Sequence, residues 1–134
     1  MIFPEKMITR AVRLVWILSV VLVVYFSLKP RLELPCDFSG ADKLAHFAAY
    51  GWLGILAFFG FDRMAAALAG ALLMIPLGIA LEFLQGCMPG REFSIADMVA
   101  NGAGVVLGII AARYVKKSFS VGGVSSGACR KILS

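Results

Sequence analysis

Asp42, His46 and Tyr50 recur at four-residue intervals in the stretch "DKLAHFAAY", residues 42–50. A helix sets residues at that spacing one above another on a single face. His46 is the sole histidine of the chain, and imidazole is the side chain best suited to taking up and releasing a proton near neutral pH. A carboxylate one turn away is a group that can orient it. Further along, "EFLQ" supplies Glu82 and Gln85, "PGR" supplies Arg91, and "SIADMVAN" supplies Ser94, Asp97 and Asn101. Arginine offers a planar fork of donors that matches phosphate or carboxylate. Taken together, these residues have the chemistry to hold an anion and move a proton on it. His46, Glu82 and Asp97 are the candidate acid–base (catalytic) groups. Asp42, Lys43, Tyr50, Gln85, Arg91, Ser94 and Asn101 are the candidate binding residues.

The elements that must position these groups are apolar. Of 134 residues, 60% are hydrophobic and 16% are charged, whereas soluble domains carry nearer 25% charge. The charges cluster and leave long uncharged runs, which is the distribution of an integral membrane protein. The formal net charge of +5 is not a nucleic-acid footprint. The lysines and arginines sit at the ends of apolar runs, where they set membrane orientation, and no basic stripe is interleaved with aromatics. The partner implied is the lipid bilayer, not nucleic acid. No cofactor motif is present, and the oligomeric state is left open.

A hydrocarbon core about 30 Å thick needs roughly 20 apolar helical residues. Four stretches qualify: 11–28, 44–61, 64–85 and 94–115, with Pro76 expected to kink the third. The fold expected is all-α, a polytopic four-transmembrane-helix bundle covering 1–115, followed by a flexible basic tail over 116–134. Arg13 is placed to snorkel at the start of the first span. That span is followed by "YFSLKPRLE" with no small-residue cleavage site, so it reads as retained rather than as a signal peptide.

Four spans put both termini on one side with nine of the thirteen lysines and arginines. The other side has Lys29, Arg31, Lys43 and Arg91. The positive-inside rule then sets both termini in the cytoplasm, and the polar residues named above gather at the outer leaflet. Gly104 and Gly108 form a G-x-x-x-G step, with Gly51 and Gly54 as counterparts, suited to close helix packing within the monomer.

Each polar group also has a plainer reading. "SIAD" is a helix-capping pattern in which Ser94 and Asp97 close the start of the fourth span. Asn101 and Gln85 suit hydrogen bonds between helices, worth roughly 1 kcal/mol each. Capping does not account for Glu82, a carboxylate near a helix C-terminus, nor for groups one turn deeper such as His46 and Asn101. Ionisable groups at membrane depth usually mark function. A metal centre of His46, Glu82 and Asp97 requires their helices to converge, and no His or Cys pairing supports one. Transport sites lie nearer the midplane. Cys36 and Cys87 fall in the two outward loops, where a disulfide is chemically permitted, and Cys129 falls in the tail.

The combination D-K-x-x-H-F-x-x-Y, E-x-x-Q, P-G-R and S-x-x-D-x-x-x-N-x-x-G, with "SLKP" after the first span, resembles the VanZ-like family of small bacterial membrane proteins. The resemblance covers about residues 25–108, and every candidate site position matches. It implies a small membrane protein of the cell envelope whose founding member is associated with low-level resistance to teicoplanin. It carries over no catalytic assignment. The functional expectation is an outward-facing site that binds or modifies an anionic envelope lipid or lipid-linked wall precursor. The alternative is a non-catalytic structural partner whose polar cluster locks the bundle.

Overall fold

The computed structural model describes residues 5–29, 40–88 and 91–130. It contains five helices: α1 (Glu5–Leu28), α2 (Ala41–Gly60), α3 (Met64–Leu72), α4 (Met74–Gly86) and α5 (Ile95–Arg130). Among the described residues there is no strand. Three stretches are long and apolar enough to cross a membrane: Glu5–Leu28, Met64–Gly86 and Ile95–Ser118. The 20-residue α2 carries Asp42, Lys43 and His46 in its first two turns, which lower its hydropathy, and it buries Tyr50, Leu53, Ala57 and Phe58 almost completely. The protein is an all-α membrane bundle in which α3 and α4 form the two halves of one rod.

The interruption of that rod follows from Pro76. Its missing N–H and its ring act on the carbonyl four residues back, that of Leu72. The helix breaks at Leu73, whose backbone stays right-handed (φ −61°, ψ −21°). The ladder resumes at once, with Leu77 N–H donating to Leu73 O at 3.3 Å.

α2 packs along α5, and their shared core contains Tyr50, Leu53, Ala57, Val105, Ile109 and Ala112. Glycine makes the close approach feasible. A Cβ on Gly104 would strike the Phe47 carbonyl, and one on Gly108 would strike the Gly51 carbonyl. Gly54 faces the Val105 carbonyl in the same way, at 3.0 Å from where its Cβ would be. The expected G-x-x-x-G step is thus consumed within the monomer.

α1 has no buried residue. Leu14, Leu18, Val21, Leu22 and Phe26 are all more than half exposed, as befits a lipid-facing helix. Polar pins hold its other face. Trp16 Nε1 donates to Leu53 O of α2 at 3.1 Å, and the Trp16 ring meets Phe61 edge-on. Arg13 does not snorkel as the sequence suggests. Its Nε donates to Gly60 O at 2.8 Å, its guanidinium lies over the Phe61 ring, and Nη2 is 3.8 Å from Asp62. The carbonyl at the end of α2 is a stronger attraction than open interface, because helix C-termini carry unsatisfied acceptors and partial negative charge. Trp16→Phe should keep the aromatic packing and lose one hydrogen bond. The expected loss is about 1 kcal/mol, read as a lowered midpoint of thermal unfolding in detergent.

Two boundaries differ from the sequence expectation. α1 begins at Glu5 rather than 11, since Glu5, Lys6 and Arg10 extend the helix beyond its apolar part, with Glu5 favoured in the first turn. α5 continues past 115 through Arg130 into the segment expected to be a flexible tail. No proline follows Pro89 to stop it, although only Ile95–Ser118 has the character of a span.

Candidate functional site

At the end of the bundle where α2 and α5 begin and α4 ends, a cavity of ≈270 Å³ opens between α1, α2, α4 and the chain after α4. Its apolar wall is α1, with Leu22, Val23 and Phe26. Its polar wall is Asp42, His46, Tyr50, Gln85 and Arg91. The four-residue spacing of Asp42, His46 and Tyr50 therefore delivers all three to one cavity. The buried Gln85 ties α4 to α1: its Nε2 donates to Ser27 O near the end of α1 at 2.8 Å.

The other five candidates do not line this cavity. They form a polar layer with Lys43 exposed at its edge and Ser94 half-buried, in which the other three are almost fully enclosed: Glu82 is 1% exposed, Asn101 3% and Asp97 7%. Burying such groups requires partners, and most of the bonds are present. Ser94 caps α5 as expected, its Oγ accepting from Asp97 N–H at 3.3 Å. In a complete capping box the acid at the third helical position reaches back to the cap's own N–H. Here that N–H donates instead to Glu82 Oε1 at 2.7 Å. Asp97 is thereby released toward Lys43, whose Nζ lies 3.8 Å from Asp97 Oδ1. That is an ion pair beyond hydrogen-bonding length, so Oδ1 has no hydrogen-bond partner among the described residues, and Glu82 Oε2 likewise has none among them. The position of Glu82 also becomes intelligible. It opposes the dipole of α4 but sits against the N-terminus of α5, which favours a negative charge.

His46 belongs to both groups. Its Nδ1 is 3.0 Å from Asn101 Oδ1. Asn101, rather than Asp42 or Asp97, is the residue that orients the imidazole. An amide oxygen only accepts, so Nδ1 carries the proton and Nε2 is the basic nitrogen. The Asn101 amide is itself wedged. A Cβ on Gly78 would lie 3.0 Å from Asn101 Nδ2 and 3.1 Å from the Tyr50 hydroxyl. Gly78 is thus a positioning residue that sequence reasoning missed, because a lone glycine in an apolar helix has no distinguishing signal.

Arg91 sits on the chain between α4 and α5. Its buried Nε has no hydrogen-bond partner among the described residues. Phe93 holds this segment against the end of α4, packing on Phe83 with ring centroids 5.1 Å apart and lying where a Cβ of Gly86 would be 3.1 Å away. Cys87 is exposed at the end of α4. Its expected partner Cys36 lies outside the described residues. No three His, Cys, Asp or Glu residues come together in a way that would hold a metal ion among the described residues, so His46, Glu82 and Asp97 do not form the ligand set considered above.

The sequence model of the VanZ/LLP1 family matches residues 3–116. The chain belongs to this family. The match takes in α1 to α4, α5 as far as residue 116, and every candidate site residue. This VanZ/LLP1 protein is also similar to the uncharacterized protein C11E3.10 of the fission yeast Schizosaccharomyces pombe, at 27% identity over 106 residues. That alignment covers 77% of this chain and 63% of the yeast protein, so the chain spans less than two thirds of that relative's length. No solved structure matches the chain.

Proposed function

We propose that this VanZ/LLP1 protein binds the head group of an anionic envelope lipid, or of a lipid-linked wall precursor, in the cavity between α1 and α2. The observation that carries this reading is the cavity's two-sided lining. Leu22, Val23 and Phe26 offer a surface for hydrocarbon, facing His46, Tyr50, Gln85 and an Arg91 whose buried Nε has no partner among the described residues. Small-ligand sites commonly combine an apolar lining with a few placed polar groups, and a guanidinium is well matched to phosphate. The charge distribution supports a multi-pass protein of the bacterial inner membrane with both termini cytoplasmic and the cavity at the outer leaflet. The similarity to a yeast protein favours a ligand class found in both bacteria and yeasts, an anionic lipid, over a wall intermediate. Altered handling of such a lipid is a route to altered susceptibility to glycopeptides such as teicoplanin. If chemistry follows binding, His46 Nε2 is the acid–base atom, with Nδ1 fixed by Asn101. Glu82 and Asp97 then act as positioning residues behind it.

A charge-assisted hydrogen bond contributes about 1.5–3 kcal/mol. Arg91→Ala should therefore weaken retention of phosphatidylglycerol by the detergent-purified protein about 10- to 100-fold, measured by native mass spectrometry. Wild-type retention in a folded Arg91→Ala protein would sink the binding reading.

A second reading has its own observation. His46–Asn101, Gln85–Ser27 and Glu82–Ser94 are all hydrogen bonds between distant parts of the chain, which is what a bundle lock requires. Under it, each substitution in the cluster lowers the unfolding temperature in step with any functional loss, and lipid retention is unchanged at matched folded concentration.

A further inference from the structure

Two opposite charges face the same cavity. Asp42 and Arg91 both line it, yet they are not paired with each other. Among the described residues the ion pairs are Arg13–Asp62 and Lys43–Asp97, so Lys43, the neighbour of Asp42, is directed to Asp97 and is not one of the lining residues. Among the described residues the cavity therefore presents one carboxylate and one guanidinium, more than 4 Å apart, with Arg91 Nε buried and without a hydrogen-bond partner. For a head group that is only anionic, this is a poor arrangement. Arg91 attracts its phosphate, while Asp42 repels it and leaves a charge uncompensated.

Resting on the phosphate site of the binding reading above, and narrowing its ligand from an anionic to a zwitterionic head group, we propose that the head group carries an ammonium as well as a phosphate, as in an aminophospholipid such as phosphatidylethanolamine. The phosphate faces Arg91, the ammonium faces Asp42, and the acyl chains run along Leu22, Val23 and Phe26 of α1. The volume of ≈270 Å³ lies just below the about 300–1,000 Å³ of sites for drug-sized ligands, which suits a head group and not a sugar polymer. Asp42 is exposed and Arg91 is half-buried, so the ammonium would meet the more solvated of the two charges and the phosphate the more enclosed one.

The test is competition between phosphatidylethanolamine and phosphatidylglycerol with identical acyl chains, offered in equal amounts to the purified full chain and counted by native mass spectrometry. Wild type should favour phosphatidylethanolamine about three- to fivefold, the scale of an ion pair open to water. Asp42→Asn should remove that preference and Asp42→Glu should keep it, while Arg91→Ala should weaken both lipids together. If wild type holds phosphatidylglycerol as well as or better than phosphatidylethanolamine, and Arg91→Ala releases it, the ammonium assignment is overturned and the phosphate site stands. If Arg91→Ala releases neither lipid, the inference and the binding reading fail together.

Discussion

Replacing Gly108 by leucine should leave little folded protein, and even Gly108→Ala should cost about 3 kcal/mol, at the upper end of overpacking penalties. The obstacle is a backbone carbonyl, that of Gly51, which a Cβ on Gly108 would overlap. A flexible side chain could swing aside, but this carbonyl is fixed within the ladder of α2. Relief requires moving α5 away from α2, which loosens Val105 and Ile109 from Tyr50 and Leu53 in the core. Gly104→Ala should behave alike, because its Cβ would meet the Phe47 carbonyl. Gly102 is the matched control. It lies on the same helix with nothing within 4 Å of its would-be Cβ, and alanine is about 1 kcal/mol better than glycine in a helix interior. Gly102→Ala should be neutral or slightly stabilising. Fluorescence-detected size exclusion after a temperature ramp reads all of these. A Gly108→Ala protein as stable as Gly102→Ala would mean that α2 and α5 do not approach this closely.

The contrast between those glycines shows what a sequence can and cannot disclose. Gly102, Gly104 and Gly108 are identical in type and close in position. Spacing against Gly51 and Gly54 singled out the two that matter, because close helix packing needs matched small residues one turn apart. The same logic placed Asp42, His46 and Tyr50 on one face, and all three line the cavity. Depth is legible too: the span ends put Glu82, Ser94 and Asp97 at the same end of the bundle, and hydrogen bonds join them there. Rotation about the helix axis was not legible. Lys43 differs from Asp42 by one residue, about 100° around α2, and that turn takes its ammonium out of the cavity lining and toward Asp97. Whether such a turn faces ligand, lipid or another helix depends on where α4 and α5 stand. Local periodicity does not encode that. Gly78 and the Arg13–Gly60 contact escaped for the same reason, since each matters only through a residue distant in sequence.

Glu82 separates the two functional readings most sharply, because it is buried, charged and one layer behind the cavity. Glu82→Ala removes the acceptor for Ser94 N–H and leaves a void beside it. The expected cost is about 2–4 kcal/mol, from a charge-assisted hydrogen bond and lost packing. Glu82→Gln keeps an oxygen for Ser94 and sets an amide nitrogen where Oε2 has no hydrogen-bond partner among the described residues. It forfeits only the charge at the N-terminus of α5, worth about 0.3–1 kcal/mol. Stability should therefore fall in Ala and be largely restored in Gln. Ligand retention should follow a related but separable course. Ser94 anchors the far end of the segment that carries Arg91, so releasing it in Glu82→Ala lets the guanidinium wander. Phosphatidylethanolamine should then be retained more weakly even at a temperature where the variant is fully folded, although Glu82 does not touch the cavity. Glu82→Gln should retain the lipid nearly as wild type does. If Gln proves as damaging to retention as Ala while remaining as stable as wild type, the charge itself is required, and Glu82 would have to act on the ligand rather than on Ser94. If Ala loses stability yet, once folded, holds lipid normally, the buried layer is a lock and Arg91 does not depend on it.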